Sequence, residues 1–315
     1  MDDSRLPAIV WRGETISLFV LGTAQLGLPG YGVANRTSEM NQEQVDAVVK
    51  TAWESDVRLF DTAQAYGNSE ERLGQAFRNL GLNGGEKKPG ARIVTKLAPD
   101  LDCKDARTVA ASLEQSLARL GQERLWGVML HRFAWLAEWD RGLGEALNMF
   151  REQGGVKYLG VSVYEAEEAL AAIEHPDMDI IQIPANAWDG RMMRAGVFER
   201  ARERDKLLFV RSIFLQGLLL LSPKDAEAKV QGAGLSAKAW AELCRQHGCS
   251  SLELSVNWAA GLHCPLVIGA EATEQIAQIA RIFSQLDENS CDVSAMWEFE
   301  QETILTPTLW GKMTR

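Results

Sequence analysis

Residues 58–67 read Arg58-Leu-Phe-Asp61-Thr-Ala-Gln-Ala-Tyr66-Gly67. A short apolar run ends in a carboxylate, and a phenol follows five residues on. The same punctuation recurs downstream. Arg92-Ile-Val-Thr leads into Lys96, and Leu125-Trp-Gly-Val-Met-Leu130 leads into His131. Short apolar runs without polar alternation are what parallel strands buried on both faces should show. Eight such runs can be found, near residues 18–23, 58–61, 92–96, 125–131, 158–163, 179–184, 207–212 and 265–269. Stretches of helical apolar spacing follow them, at about 40–55, 69–80, 105–120, 142–153, 165–174, 196–205, 236–260 and 272–286. Eight strands, each followed by a helix, predict a (β/α)8 TIM barrel.

The punctuation of the helices agrees. Thr37-Ser38-Glu39 and Asn68-Ser69-Glu70-Glu71 read as N-terminal caps with acids in the first turn, and Gly81, Gly121 and Gly154-Gly155 as stops. Residues 82–91 read as an exposed polar loop, and residues 8–17 as a small β-hairpin closing the bottom of the barrel. The tail 287–315 exceeds eight β/α units and is expected over the active-site mouth. No Pro/Ser-rich linker or solenoid repeat is visible, so residues 1–315 are expected to form one domain.

Composition excludes several classes. A net charge of −10 argues against nucleic acid, whose phosphates need clustered Lys and Arg. No run approaches the ~20 apolar residues of a membrane span, and no secretory signal is visible. The five cysteines, Cys103, Cys244, Cys249, Cys264 and Cys291, are scattered and lack CxxC spacing, which suits free thiols in a cytoplasm. His263-Cys264 has no further metal ligands clustered with it, so no metal is expected. Neither a G-x-G-x-x-G fingerprint nor a P-loop occurs.

In a (β/α)8 barrel the C-terminal ends of all strands open on one face, where the chemistry sits. Adjacent strands are ~5 Å apart, so Asp61, Lys96 and His131, at the ends of the second, third and fourth strands, can converge. Tyr66 can fold back over the same mouth. A tyrosine of pKa ~10 is a poor acid near neutrality, and an ammonium at Lys96 is expected to lower it. Asp61 would partner Lys96, and His131 would hydrogen-bond a substrate oxygen. That set suits protonating an oxyanion as a carbonyl is reduced, or the reverse. The plain alternative is that Asp61 and Lys96 merely tie two strands as a buried ion pair.

Phe60-Asp61-Thr-Ala63-Gln-Ala-Tyr66-Gly67-Asn-Ser-Glu70 resembles the Asp-x-Ala-x-x-Tyr-Gly-x-Glu signature of aldo-keto reductases, with one residue inserted before the glutamate. The resemblance runs nearly end to end. It implies a nicotinamide cofactor and a catalytic tetrad of Asp61, Tyr66, Lys96 and His131. It further implies cofactor contacts from Gly22 and Thr23 near the reacting centre, with Ser162 and Gln182 at the carboxamide. The loop from Ser212 through Phe214 to Gly217 would cradle the pyrophosphate, with Gly269, Glu271 and Gln275 at the adenosine end. The closing segment Ile304 to Trp310 resembles that of a bacterial subgroup associated with sugar or polysaccharide pathways.

Several positions depart from the family pattern. Val163 replaces an Asn that contacts the cofactor, and Ile279 stands where an adenine-contacting Asn is expected. Arg211 replaces an aromatic that stacks on the nicotinamide; a pyrophosphate or an anionic substrate are alternative partners for it. Glu271 stands where users of NADPH place a base, so the cofactor is NAD(H) or NADP(H) with a lean to NAD(H). Glu271 as a first-turn helix acid is the competing reading. The substrate is expected to be a small carbonyl compound or sugar, walled by Tyr31, Trp188 and Trp310, with Trp135, Trp139 and Phe214 as further candidates. Two other functions remain open: a non-catalytic nicotinamide-binding module that senses redox state, and a Schiff-base lyase using Lys96.

Overall fold

The computed structural model describes residues 6–33, 38–84, 90–286 and 291–312. The hairpin comes first. Strands β1 (Ala8–Trp11) and β2 (Glu14–Ser17) pair antiparallel. Arg12 and Gly13 turn between them with φ of 47° and 77°, the two successive positive values of the turn that matches strand twist.

Eight parallel strands then close into a barrel: β3 (Phe19–Gly22), β4 (Leu59–Asp61), β5 (Arg92–Lys96), β6 (Leu125–Leu130), β7 (Val156–Ser162), β8 (Ile180–Pro184), β9 (Leu207–Arg211) and β10 (Leu266–Gly269). They run in chain order around the barrel, and β10 closes on β3. Helices Gln42–Glu54, Ser69–Leu80, Ala106–Leu120, Leu143–Glu152, Ala166–Glu174, Val197–Glu203, Ser251–Ala260 and Thr273–Phe283 follow the successive strands. Each buries one apolar stripe. The helix Ser69–Leu80 buries Leu73, Ala76 and Phe77, and Phe77 meets Phe60 of β4 edge-on at 5.0 Å.

Side chains alternate along a strand, so an inward residue recurs every second position. Val20, Leu59, Val94, Tyr158, Ile180 and Phe209 pack inside the barrel. Two residues further on, the same inward row reaches Gly22, Asp61, Lys96, Gly160, Gln182 and Arg211. The barrel is therefore apolar below and polar at its C-terminal mouth. From beneath, Trp11 and Ile16 of the hairpin plug this core. Trp11 lies 4.8 Å from the Tyr158 ring, and the Glu14 carboxylate accepts from Trp126 Nε1 (3.1 Å) and the Tyr158 hydroxyl (2.6 Å). Burying a residue such as Ile16 stabilises by ~1.5–3 kcal/mol, so the hairpin is held by packing as well as by these bonds.

Three expectations need correction. The stretch 236–260 is two helices, Ala233–His247 and Ser251–Ala260. Gly248 ends the first in a left-handed conformation, and Ser250 with Glu253 opens the second as a capping box. The cap of the helix Gln42–Glu54 is Asn41, boxed with Gln44, and not Thr37-Ser38; Thr37 lies outside the described residues. Asn68 precedes its helix without a side-chain capping bond. Residues 85–89 of the polar loop and 287–290 and 313–315 of the tail also lie outside the described residues. The described part of the tail forms short turns at Ser294–Phe299, Glu302–Leu305 and Pro307–Lys312. It is anchored by Glu300, which accepts the Gly190 N–H at 2.5 Å and pairs with Arg194. Leu305 to Thr308 thereby flank the mouth. Among the described residues no helix is long and apolar enough to cross a membrane.

Candidate active site

Asp61 ends β4 at 2% exposure, and both its carboxylate oxygens are used. Oδ1 accepts from Lys96 Nζ at 2.6 Å, and Oδ2 accepts from Gln182 Nε2 at 2.9 Å, across the barrel from β8. Its backbone oxygen accepts the N–H (2.9 Å) and hydroxyl (3.0 Å) of Thr23. Lys96 is 1% exposed and also donates to the Thr62 carbonyl at 2.9 Å. An ammonium has three N–H bonds, so one remains uncommitted among the described residues.

The Tyr66 ring lies 5.2 Å from Lys96 Nζ and meets the His131 ring edge-on at 6.0 Å. Two glycines let it sit there. Gly67 has φ +56°, and a Cβ on Gly27 would fall 2.0 Å from the Tyr66 carbonyl oxygen. The turn is tied down by the Tyr66 N–H on Ala63 O and the Ser69 N–H on Tyr66 O, each 3.0 Å. The Ser69 hydroxyl then bonds Thr23 Oγ1 at 2.9 Å. Glu70, 2% exposed, accepts the Thr95 hydroxyl at 2.7 Å and pairs with Arg119 at 3.0 Å, fixing β5 beside Lys96.

The electrostatics differ from the sequence expectation at one point. Burial, and after it the charge of Asp61, push the Tyr66 phenol up rather than down. The charge of Arg211 opposes this without reversing it. The phenol is thus held neutral. Burial, then the charges of Lys96 and Arg211, hold the His131 imidazole down at about 4, so it too is neutral at pH 7. Lys96 is lowered chiefly by burial, with Asp61 opposing. Two neutral proton carriers beside one buried ion pair can deliver a proton to an oxygen on which negative charge develops.

A cavity of about 370 Å3 opens from this centre. Gly22, Thr23, Asp61, Tyr66 and Gln182 line its inner end, the loop Arg211 to Gly217 its side, and Gly269, Gln275, Gln278 and Ile279 its far end. The loop is unusual: Ser212, Leu215 and Gln216 have φ of 64°, 47° and 55°, and Gly217 has 95°. Such positive values in side-chain-bearing residues persist only where surroundings impose them, and they cluster at ligand clamps. Gly269 leaves room that a Cβ would fill, 2.2 Å from the Gln25 amide. Ser162, 4% exposed, places its hydroxyl 3.4 Å from Gln182 Oε1. Amides and hydroxyls at the inner end, glycines along the way and amides at the outer end fit a dinucleotide with its carboxamide innermost. Gln25, Gln278 and Leu252 line the same cavity and were not singled out by sequence. For Gln25 the signal was its place just past Gly22-Thr23.

Not every predicted residue reaches this space. Tyr31, Arg211 and Phe214 do. Glu271 is 8% exposed, does not line the cavity, and has its N–H capped by Gln275 Oε1 at 2.8 Å. Trp188 is 2% exposed and faces the core, so it is no wall of either cavity at the mouth. Trp135 and Trp139 are likewise core residues; the indole of Trp139 donates to Asp177 at 3.0 Å. Trp310 is half-buried and donates to the Ile304 carbonyl, bracing the tail.

Comparison with known proteins gives a consistent result. A sequence model described as the aldo/keto reductase family matches residues 19–295. D-threo-aldose 1-dehydrogenase of a Pseudomonas species is 25% identical across 90% of this chain and 97% of its own length. Pyridoxal 4-dehydrogenase of Microbacterium luteolum is 25% identical across 87% of this chain and 91% of its own. Among solved structures, glycerol dehydrogenase of Gluconobacter oxydans superposes with a TM-score of 0.70 over 96% of both chains at 20% identity. An aldo/keto reductase of Brucella melitensis does so at 0.65, covering 94% of this chain and 98% of the other at 17% identity. At such identities the structural matches speak for the fold alone.

Proposed function

The chain belongs to the aldo/keto reductase family of carbonyl oxidoreductases, and on that premise we propose that it interconverts a small carbonyl compound or sugar and its alcohol with a nicotinamide cofactor, preferentially NAD(H). The observation that carries this reading is the convergence at one mouth of Asp61, Lys96, Tyr66 and His131, with Lys96 Nζ 2.6 Å from Asp61 and the Tyr66 and His131 rings 6.0 Å apart.

Gln182 and Ser162 would hold the carboxamide, the Ser212–Gly217 loop the pyrophosphate, and Gln275 the adenosine end. When bound, the reduced nicotinamide supplies the hydride equivalent. The substrate oxygen lies between Tyr66 and His131. Neutral His131 donates a hydrogen bond to it and fixes its direction. Tyr66 releases its proton only when negative charge develops on that oxygen, because its surroundings favour the neutral phenol. The remaining N–H of Lys96 then stabilises the phenolate, and Asp61 keeps Lys96 charged and in place.

The preference for NAD(H) has support at the cavity's far end. Gln275, Gln278 and Ile279 line it, and among the described residues no Lys or Arg does so there. A 2′-phosphate would lack a charge-assisted partner. The names of the relatives suggest aldoses and pyridoxal as the first substrates to assay.

The test is Tyr66→Phe. Turnover on such a panel should fall ~10²–10⁴-fold, the usual worth of a positioned acid. Quenching of tryptophan fluorescence by NADH should be unchanged. Near-normal turnover in the variant would remove Tyr66 from the acid role.

A further inference from the structure

A second cavity, of about 140 Å3, adjoins the first on the substrate side. Tyr31, Arg211, Ser212 and Gln216 line both, and the Tyr31 ring lies 6.5 Å from that of Tyr66. The second is walled by the tail residues Leu305 to Thr308 and by Asn186 and Arg191.

The two arginines differ in kind. Arg191 is neutralised: it clamps Asp189 at 3.0 and 2.8 Å and reaches Glu165 at 3.4 Å. Arg211 forms no ion pair among the described residues. Its guanidinium donates to the Val163 carbonyl at 3.0 Å and to the Ser212 hydroxyl at 3.3 Å, and lies 4.4 Å over the Tyr164 ring. These neutral partners hold the guanidinium in place and leave its charge uncompensated. A guanidinium offers five N–H bonds, so most remain for a ligand. Its field is felt at the chemistry. Burial dominates the behaviour of Tyr66, Lys96 and His131; Arg211 reinforces it at Lys96 and His131 and opposes it at Tyr66.

Asn186 supplies an independent observation. It is 1% exposed, and its Oδ1 accepts the Trp188 N–H at 3.0 Å. Its amide nitrogen has no partner among the described residues, although the residue lines the second cavity. That leaves the donor open to the cavity, where a ligand oxygen can accept from it.

We propose that the substrate carries an anionic oxyacid group, a carboxylate or a phosphate, which binds between the Arg211 guanidinium and the Asn186 amide while the carbonyl faces Tyr66 and His131. This rests on the carbonyl-reductase reading above and narrows its substrate class. A planar fork suits bidentate capture of a carboxylate or phosphate.

The experiment compares kcat/KM for 4-oxobutanoate against butanal, and for glyceraldehyde 3-phosphate against glyceraldehyde, in the wild type, Arg211→Met and Asn186→Leu. The wild type should favour one charged member by about tenfold to a hundredfold. Arg211→Met should collapse that ratio to near one, and Asn186→Leu should lower it by several-fold. Using the ratio cancels any general damage to the enzyme. Calorimetric titration of the wild type and Arg211→Met with succinate and with inorganic phosphate gives a readout independent of turnover. Arg211-dependent binding without turnover of any aldehyde would uphold the anion site and sink the reductase reading. Equal use of charged and neutral aldehydes would do the reverse. If Arg211→Met weakens NADH and leaves the ratio intact, the guanidinium serves the cofactor and the proposal is overturned. Absence of both turnover and anion binding overturns it as well. Whether succinate or phosphate binds more tightly assigns the oxyacid.

Discussion

Asp61→Asn removes one charge from a pair in which both partners are almost completely buried, and its consequence can be worked out. The Asn oxygen can still accept from Lys96. Its amide nitrogen would then face Gln182 Nε2, donor against donor, and Gln182 must turn over, so that its amide donates to the Ser162 hydroxyl instead of accepting from it. The ammonium is left with neutral partners only. Breaking a buried pair on one side costs about 3–5 kcal/mol. Lys96 has an escape, since it can lose its proton. From an unfolded pKa of about 10.4, holding lysine neutral at pH 7 spans about 3.4 units at about 1.4 kcal/mol each, a ceiling of about 4.6 kcal/mol. The two figures agree. The sign follows from linkage. In the variant the unfolded chain binds a proton that the folded chain does not, so stability must rise with pH. The slope should approach about 1.4 kcal/mol per unit between the depressed folded pKa and about 10.4, and stability should be flat below the folded pKa. Urea unfolding followed by tryptophan fluorescence between pH 6 and 9, with the wild type in parallel, measures it. Asp61→Asn with Lys96→Met should recover most of the loss. A single variant that loses under 1 kcal/mol, or shows no extra slope, would refute the idea that Lys96 depends on Asp61 for its charge.

Three further outcomes are expected. His131 is held down at about 4, chiefly by burial, against an ordinary value near 6.5. Its contribution to stability is therefore complete above about pH 6.5 and lost as pH falls towards 4, and His131→Gln should flatten that acid limb in thermal melts. Gly27→Ala drives a Cβ to within 2.0 Å of the Tyr66 carbonyl oxygen. Overpacking of this kind costs about 1–3 kcal/mol, and displacement of Tyr66 should depress kcat more than NADH affinity; an unchanged melting temperature and kcat would contradict the close approach. Gln278→Lys places a cation at the cavity's outer end. Fluorescence titration should show NADPH binding tightened by about tenfold with NADH little altered, and no change would place the 2′ position elsewhere.

Much of the architecture was readable before any coordinates. All eight barrel strands fall within the expected runs to within about two residues, because each is a short apolar segment closed by turn chemistry. Asp61, Lys96 and His131 were visible because a polar residue ending an apolar run breaks a local pattern, and Tyr66 because it follows Asp61 by five residues. The missed helix break at Gly248 was also local, since Gly248 followed by Ser250-x-x-Glu253 is a stop and a start. The tryptophans were a different kind of miss. Trp188, two residues beyond Asn186, has the position of a substrate wall, and only packing turns it into the core while Asn186 faces the cavity.

The sequence by itself determined the alternation of strand and helix, the strand ends and the residue types gathered at one mouth, since periodicity and capping are properties of neighbouring residues. Tertiary structure alone decided what those residues are electrically. Gln182 meets Asp61 from 121 residues away, and that bond, with Lys96, fixes where the carboxylate's charge goes. Burial, and after it the charge of Asp61, pushes the Tyr66 phenol up where sequence suggested down. Among the described residues Arg211 has no ion-pair partner, because Val163, Ser212 and Tyr164 are what its guanidinium meets. Desolvation and through-space fields depend on every group within several ångströms, and a linear chain does not record who those neighbours will be.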